Sequence, residues 1–220
     1  THTVIFTGST TESLNLIAYA WGQKNLTADS EILLSEMEHH SNIVPWQLVA
    51  EKTQSSLQFI PLTDDGTLDL EPNDSLYSKR TKLISVCHQS NVFGTVNPID
   101  SVIATAKEWG AISVIDGAQA VPHMKVDIAK LDCDFYAFSG HKMLGPTGVG
   151  VLIGRTDLLE EMDPFMGGGE MIDKVTLEKS TWNKVPWKFE AGTPNIAQVI
   201  GLGAALDYIQ SVGIDKIHNH

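Results

Sequence analysis

Asp116–Gly150 reads DGAQAVPHMKVDIAKLDCDFYAFSGHKMLGPTGVG. The apolar run Ile112–Ile115 predicts a strand that ends on Asp116, and a second run, Phe135–Phe138, predicts a strand that releases Ser139, His141 and Lys142. In an open α/β sheet, ligands sit outside the carboxyl ends of the strands. An acid, an amide (Gln119) and a lysine are thus brought to one sheet edge. That set suits pyridoxal phosphate, whose aldehyde needs a lysine for a Schiff base and whose pyridinium nitrogen needs an anionic partner. Singly, Asp116 or Lys142 reads more readily as half of a solvated surface ion pair. Together, at the ends of two strands, they carry the coenzyme reading.

Upstream, Ile99, Val102, Ile103 and Ala106 form one apolar stripe behind Pro98, and Gly110 closes the helix just before the Asp116 strand. The apolar run Leu83–His88 precedes it and releases Gln89, Ser90 and Asn91 at its end. Strand, helix and strand at this spacing make a βαβ crossover, which requires a largely parallel sheet buried on both faces. The expected fold is therefore α/β and three-layered, a mostly parallel sheet with helices on both faces.

Nearer the start, Val4–Phe6 predicts a short strand, and Ser9-Thr10-Thr11-Glu12 offers a capping box for a helix carrying Leu14, Ile17, Ala18 and Trp21 and ending at Gly22. Hydroxyls and free amides at a helix N-terminus attract anions, which makes this turn a candidate phosphate cradle, although most such caps are only caps. Glu31–Ser35 predicts the next strand and leads into His39-His40. Neighbours on a strand point to opposite faces, so these histidines are not expected to share a metal. Ser41 or Asn42 is expected to cap the following helix, with Pro45 in its first turn. Leu57–Leu62 reads as a strand, Asp64-Asp65-Gly66 as a turn, and the polar stretch to Lys82 as a solvent-facing helix. Gly148–Gly154 reads as a glycine-rich strand that lacks the Gly-Lys-Ser/Thr ending of a phosphate-binding loop. A long irregular connection through Gly167–Gly169 to Lys188 then precedes a helix over about 196–211, capped by Thr193 or Asn195.

With 42% hydrophobic residues among 220, the chain can bury a substantial core. A formal charge of −12 argues against nucleic acid or an anionic membrane surface as the main partner. The sequence contains no transmembrane-length apolar run and no signal-peptide pattern at its start, and its two cysteines, Cys87 and Cys133, fit reduced core thiols, so a cytoplasmic protein is expected. Cys133 lies between two aspartates and Cys87 in an apolar strand, on one face with Leu83 and Ser85; neither is expected to be a reactive thiolate.

DGAQ followed by SGHK and GPTG resembles the class V aminotransferases, pyridoxal-phosphate enzymes of fold type I, and within them the SufS-type cysteine desulfurases and selenocysteine lyases. The resemblance implies a homodimer that converts L-cysteine (or L-selenocysteine) to alanine and hands sulfur, as a persulfide, to an acceptor protein for iron–sulfur cluster assembly. It implies that Lys142 forms the Schiff base and serves as base and acid, that Asp116 holds the ring nitrogen, and that His39 stacks on the ring. Thr10 and Thr11 would meet the phosphate, Gln119 the phenolic oxygen, and Asn91 (in SNVFG) that oxygen and the substrate carboxylate; Ser139 and His141 accompany Lys142. Gly192 and Thr193, in FEAGTPN, would reach the neighbouring subunit's phosphate. Residues 1–220 would form the large coenzyme-binding domain, incomplete at both ends and without the small C-terminal domain, the nucleophilic cysteine and the arginine that grips the substrate carboxylate. Three alternatives remain open on sequence grounds: another class V lyase or aminotransferase, a metal-dependent hydrolase built on His39 and His88, and a non-catalytic interaction module.

Overall fold

Alternating side chains along the strands decide which helices cover which face of the sheet. The structure is a computed structural model that describes residues 1–70 and 76–220. Strand β1 (His2–Thr7) is followed by α1 (Thr10–Ile17), which runs through a π-helical segment, Ala18–Gly22, into α2 (Gln23–Asn25). Then come β2 (Glu31–Ser35), α3 (Val44–Thr53), β3 (Ser56–Ile60), β4 (Thr81–Cys87), α4 (Ile99–Trp109) and β5 (Ile112–Asp116). The rest comprises α5 (Ile128–Leu131), β6 (Phe135–Ser139), β7 (Gly150–Arg155), α6 (Thr156–Glu161), the hairpin β8 (Ile172–Val175) with β9 (Ser180–Trp182), α7 (Ile196–Val212) and α8 (Ile214–Asn219).

Seven strands make one sheet in the order β1-β7-β6-β5-β4-β2-β3, and only β7 runs against the others. The expected three-layer, mostly parallel α/β architecture is therefore present. Ile32, Leu34, Leu83, Val114, Phe135 and Ala137 point to one face, where they pack with α1, Trp46 of α3 and Leu159 of α6. Their sequence neighbours Leu33, Ile84, Ile115 and Tyr136 point to the other, against the α4 stripe Ile99, Val102, Ile103 and Ala106. Leu202 of α7 closes a smaller cluster with Val149 and Val151. Gly110 ends α4 at φ 67°, a left-handed conformation that favours glycine.

Several expectations change. Gly22 does not end its helix; it lies inside the helical run because a side chain there would meet Val49 Cγ1 at 3.1 Å, so glycine lets the α3 layer approach. The capping box closes one residue early: Ser9 Oγ accepts from Glu12 N (3.2 Å), and Glu12 Oε2 accepts from Gly8 N (2.9 Å) rather than from Ser9. The solvent-facing helix expected before Lys82 is not formed where the structure describes that stretch: Leu62 and Leu68 pair in an antiparallel bridge, and residues 76–80 form turns. Residues 71–75 of that stretch lie outside the described residues. The long connection after Gly169 contains the β8–β9 hairpin, whose strands are short and mostly exposed and so lack the apolar alternation that announces a strand.

Candidate coenzyme site

The carboxyl ends of β4, β5 and β6 converge with the N-terminus of α1 and the turn that follows β2. Asp116, the last residue of β5, is 5% exposed and pairs across the parallel sheet with Cys87 on one side and Ala137 on the other. Its Oδ1 accepts from Ala118 N at 2.9 Å; its Oδ2 has no hydrogen-bond partner among the described residues. Burial pushes its carboxyl above the ordinary carboxylate range, opposed by the Ala118 amide and by the positive charges of Lys142 and His39. An anion here is thus under-compensated, and its free oxygen offers a place for a cation.

Lys142 leaves β6 through the 3-10 turn Gly140–Met143. The turn is tied down by Gly140 N donating to Val149 O (2.9 Å) and Gly145 N to Gly140 O (3.0 Å). The lysine is half-buried, and its ammonium has no hydrogen bond or ion pair among the described residues. Ser139 Oγ accepts from the backbone amide of Thr10 (2.8 Å) and bonds its hydroxyl (2.7 Å), locking the start of α1 to the end of β6. Thr10 is accordingly buried, while Thr11 next to it is exposed and its amide is free among the described residues. Gly150 admits this approach, since a Cβ there would lie 2.5 Å from the Ser9 backbone.

His39 is exposed, as is His40, and the two rings lie 5.6 Å apart. They do not diverge as strand neighbours would, because β2 has already ended at Ser35 and His39 caps the 3-10 turn His40–Asn42. The His39 Nδ1 accepts from Ser41 N (3.1 Å), and a chain of hydrogen bonds continues through the Ser41 hydroxyl (3.0 Å) to Thr11 Oγ1 (2.7 Å). Ser41 and Asn42 do not cap α3, whose N-cap, Ile43, has no side-chain bond; Ser41 serves the site instead. The same two donors could be read as caps in sequence, and only the bend after Ser35 redirects them.

Gln119 is half-buried, while Asn91 and His141 are exposed at the same edge with no hydrogen bond to their side chains among the described residues. Gly192 and Thr193 line a cavity with Gly8, Glu12, Val149 and Phe189, beside the end of β1 and the first turn of α1. Beneath the edge, His88 Nδ1 bonds Tyr136 Oη (2.9 Å), and burial lowers the His88 pKa to about 4, keeping it neutral. Tyr136 packs so close to Gly117 that a Cβ there would lie 2.0 Å from its ring. Among the described residues no group of three or more His, Cys, Asp or Glu is placed to hold a metal, and His88 is spoken for by Tyr136. Cys87 and Cys133 are both buried; burial and nearby carboxylates raise both thiols, Cys133 to about 12. Cys87 falls in the cluster that holds Ile84 and Val86, while Leu83 falls in the one on the other face.

The donor set fits pyridoxal phosphate: a buried carboxylate with a free oxygen, an unpaired lysine within its field, an imidazole and a free helix-terminal amide. The aminotransferase class-V profile matches residues 1–220. A probable cysteine desulfurase of Halalkalibacterium halodurans is 51% identical over 220 residues, covering 100% of this chain and 54% of that protein. Among solved structures, the cysteine desulfurase CsdA of Escherichia coli superimposes with a TM-score of 0.94 at 41% identity, over 97% of this chain and 53% of that one. A C-DES variant with glycine covalently linked to its PLP cofactor superimposes with a TM-score of 0.85 at 26% identity, over 99% of this chain and 58% of that one. The chain thus spans about half the length of the relatives it matches, and over that span it belongs to the class-V aminotransferase family.

Proposed function

We propose that these residues form the coenzyme-binding part of a pyridoxal-phosphate-dependent cysteine desulfurase, which converts L-cysteine to L-alanine and passes the sulfur on as a persulfide to an acceptor protein for iron–sulfur cluster assembly in the cytoplasm. The observation that carries the reading is Asp116, buried at a strand end with one oxygen free and Lys142 and His39 in its field. Pyridoxal phosphate, when bound, supplies an aldehyde that joins an amine and a protonated ring that withdraws electrons from the substrate α-carbon.

The chain's own residues then have distinct tasks. Asp116, with one oxygen free, would hold the ring nitrogen, whose positive charge would relieve the under-compensated carboxylate. His39, fixed by Ser41, covers the ring face. The free amide of Thr11 and its hydroxyl, which bonds Ser41, would face the phosphate at the positive end of α1; Thr10 and Ser139 hold that helix end in position. Gln119 donates to the phenolic oxygen, and Asn91 serves that oxygen and the substrate carboxylate. Lys142, with His141 beside it, takes the proton from the substrate α-carbon and returns one. Gly192 and Thr193, which line the cavity beside Gly8 and Glu12, would serve the phosphate of a second copy in a homodimer. The raised thiols of Cys87 and Cys133 make poor nucleophiles, so the sulfur-accepting cysteine is assigned outside these residues.

Borohydride reduction of the full-length protein loaded with pyridoxal phosphate, followed by peptide mapping, tests the assignment. A pyridoxyl group on Lys142 is expected, and one on any other lysine overturns it.

A further inference from the structure

Glu38, immediately before His39, is a buried carboxylate, 7% exposed, that accepts three hydrogen bonds. Its Oε1 takes the Ser35 hydroxyl and the Cys87 amide (2.9 Å), and its Oε2 takes Asn42 Nδ2 (2.7 Å). Two of these donors cannot reverse. The Cys87 amide only donates. The Asn42 side chain cannot flip, because its Oδ1 is already held by Trp46 Nε1 (3.0 Å) and the Ser85 hydroxyl (2.6 Å). Only Ser35 can turn from donor to acceptor, so the surroundings are built for the ionised carboxylate.

The three bonds join two places that the coenzyme reading needs. Cys87 is the β4 residue paired with Asp116, and Asn42 ends the 3-10 turn that His39 caps. We propose that Glu38 is a positioning residue that pins the His39 turn to the strand edge bearing Asp116, holding the imidazole where the coenzyme ring lies. The proposal rests on the coenzyme reading above and deepens it.

Burial raises the Glu38 carboxyl from 4.5 to about 7, and the negative charge of Asp116, facing it from β5, pushes the same way. The other titratable group against it is the Cys87 thiol of β4, which is neutral at these pH values; His39 adjoins it on its own turn. The folded protein therefore holds this proton more tightly than the unfolded chain, so stability falls as pH rises from 4.5 through about 7 while the three-donor cage becomes fully matched.

The test is the dissociation constant of pyridoxal phosphate for the full-length protein, followed by absorbance from pH 6 to 8.5, in wild type, Glu38→Gln and Ser35→Ala. The ratio of variant to wild type removes titrations they share, including the coenzyme's own. Glu38→Gln turns an amide toward fixed donors, so its ratio is expected to be about tenfold at pH 8.5 and to approach one at pH 6. Ser35→Ala removes a bond that favours the anion, so its loss of affinity is expected to set in at higher pH than in wild type. A Glu38→Gln ratio that stays at one, or a constant ratio at every pH, overturns the proposal. If Glu38→Gln does not fold, Ser35→Ala decides alone, and an unshifted pH dependence overturns it. Wild-type protein that binds no coenzyme at any pH sinks the underlying reading instead, which keeps the two failures apart.

Discussion

The β4–β5–β6 edge and the segment 167–195 both carry residues assigned to a coenzyme, yet they are built by opposite means. At the edge, Asp116, Glu38, His88, Ser139 and Thr10 are all buried; Glu38, His88, Ser139 and Thr10 bond side chains or amides far away in sequence, and the Asp116 carbonyl accepts from the His88 amide. In the second segment, Thr193 is exposed, Leu177, Trp182 and Trp187 present large apolar surfaces, and the hairpin β8–β9 pairs only with itself. The first region positions chemistry within one chain. The second presents groups outward, as suits residues assigned to a neighbouring copy. The contrast predicts that substitutions at the edge disturb the chain's own chemistry or stability, while those in the outward segment disturb only what binds there.

The largest effect is expected at Asp116. Asp116→Asn keeps the Ala118 bond and the shape but cannot stabilise a cationic ring. Turnover of L-cysteine by the full-length protein is expected to fall on the order of 10²-fold, about 2.7 kcal/mol. Stability should move the other way. The Asp116 pKa is raised in the fold, so the carboxylate contributes stability at low pH that is lost as pH rises through its folded value. The amide has no such loss. The variant's melting temperature in the absence of coenzyme should gain on wild type as pH increases, and unchanged turnover would make Asp116 a structural residue only.

Gly117 tests how far the edge is held from below. Its side-chain position is occupied by Tyr136, which is fully buried and fastened to His88. Gly117→Ala must displace that ring or lift the turn after Asp116, at a cost of about 2 kcal/mol in chemical denaturation. A full-strength Gly117→Ala variant would mean that the Tyr136 layer yields easily and does not fix Asp116.

What could be read from sequence follows from how local each signal is. Asp116 and Lys142 each follow a continuous apolar strand, so their place at a sheet edge was legible, as were the βαβ unit around α4 and the layering of the sheet. The Glu38 cage was not, because its donors come from residues 35, 42 and 87 and no spacing connects them. Ser41 offered a visible cap, but its partner could not be read: the chain bends after Ser35 and turns that side chain toward Thr11. Gly22 looked like a helix stop because a glycine's need for room and its power to end a helix leave the same mark in sequence. The place of Gly192 and Thr193 in the cavity beside Gly8 and Glu12 is likewise a matter of tertiary structure, since the FEAGTPN motif alone does not say which subunit's coenzyme it meets.

Thr193 gives the smallest effect and the most discriminating one. It is exposed, its side chain has no hydrogen bond among the described residues, and it lines the cavity beside Gly8 and Glu12. Thr193→Ala should therefore leave the unfolding free energy of the coenzyme-free protein, measured by chemical denaturation, within about 0.5 kcal/mol of wild type. If its hydroxyl serves a phosphate across a dimer interface, pyridoxal phosphate affinity of the full-length protein should still drop about tenfold, the worth of one hydrogen bond to a charged group. A mixed dimer separates the two geometries. When one subunit carries Thr193→Ala and the other Lys142→Ala, the intact lysine and the intact threonine sit in different chains. A threonine that serves the neighbouring subunit then leaves the one working lysine with wild-type affinity only if the intact Thr193 comes from the Lys142→Ala chain. The weakened affinity of the Thr193→Ala homodimer in that mixed species would mean that Thr193 acts within its own chain, and that the outward segment is not built for a partner.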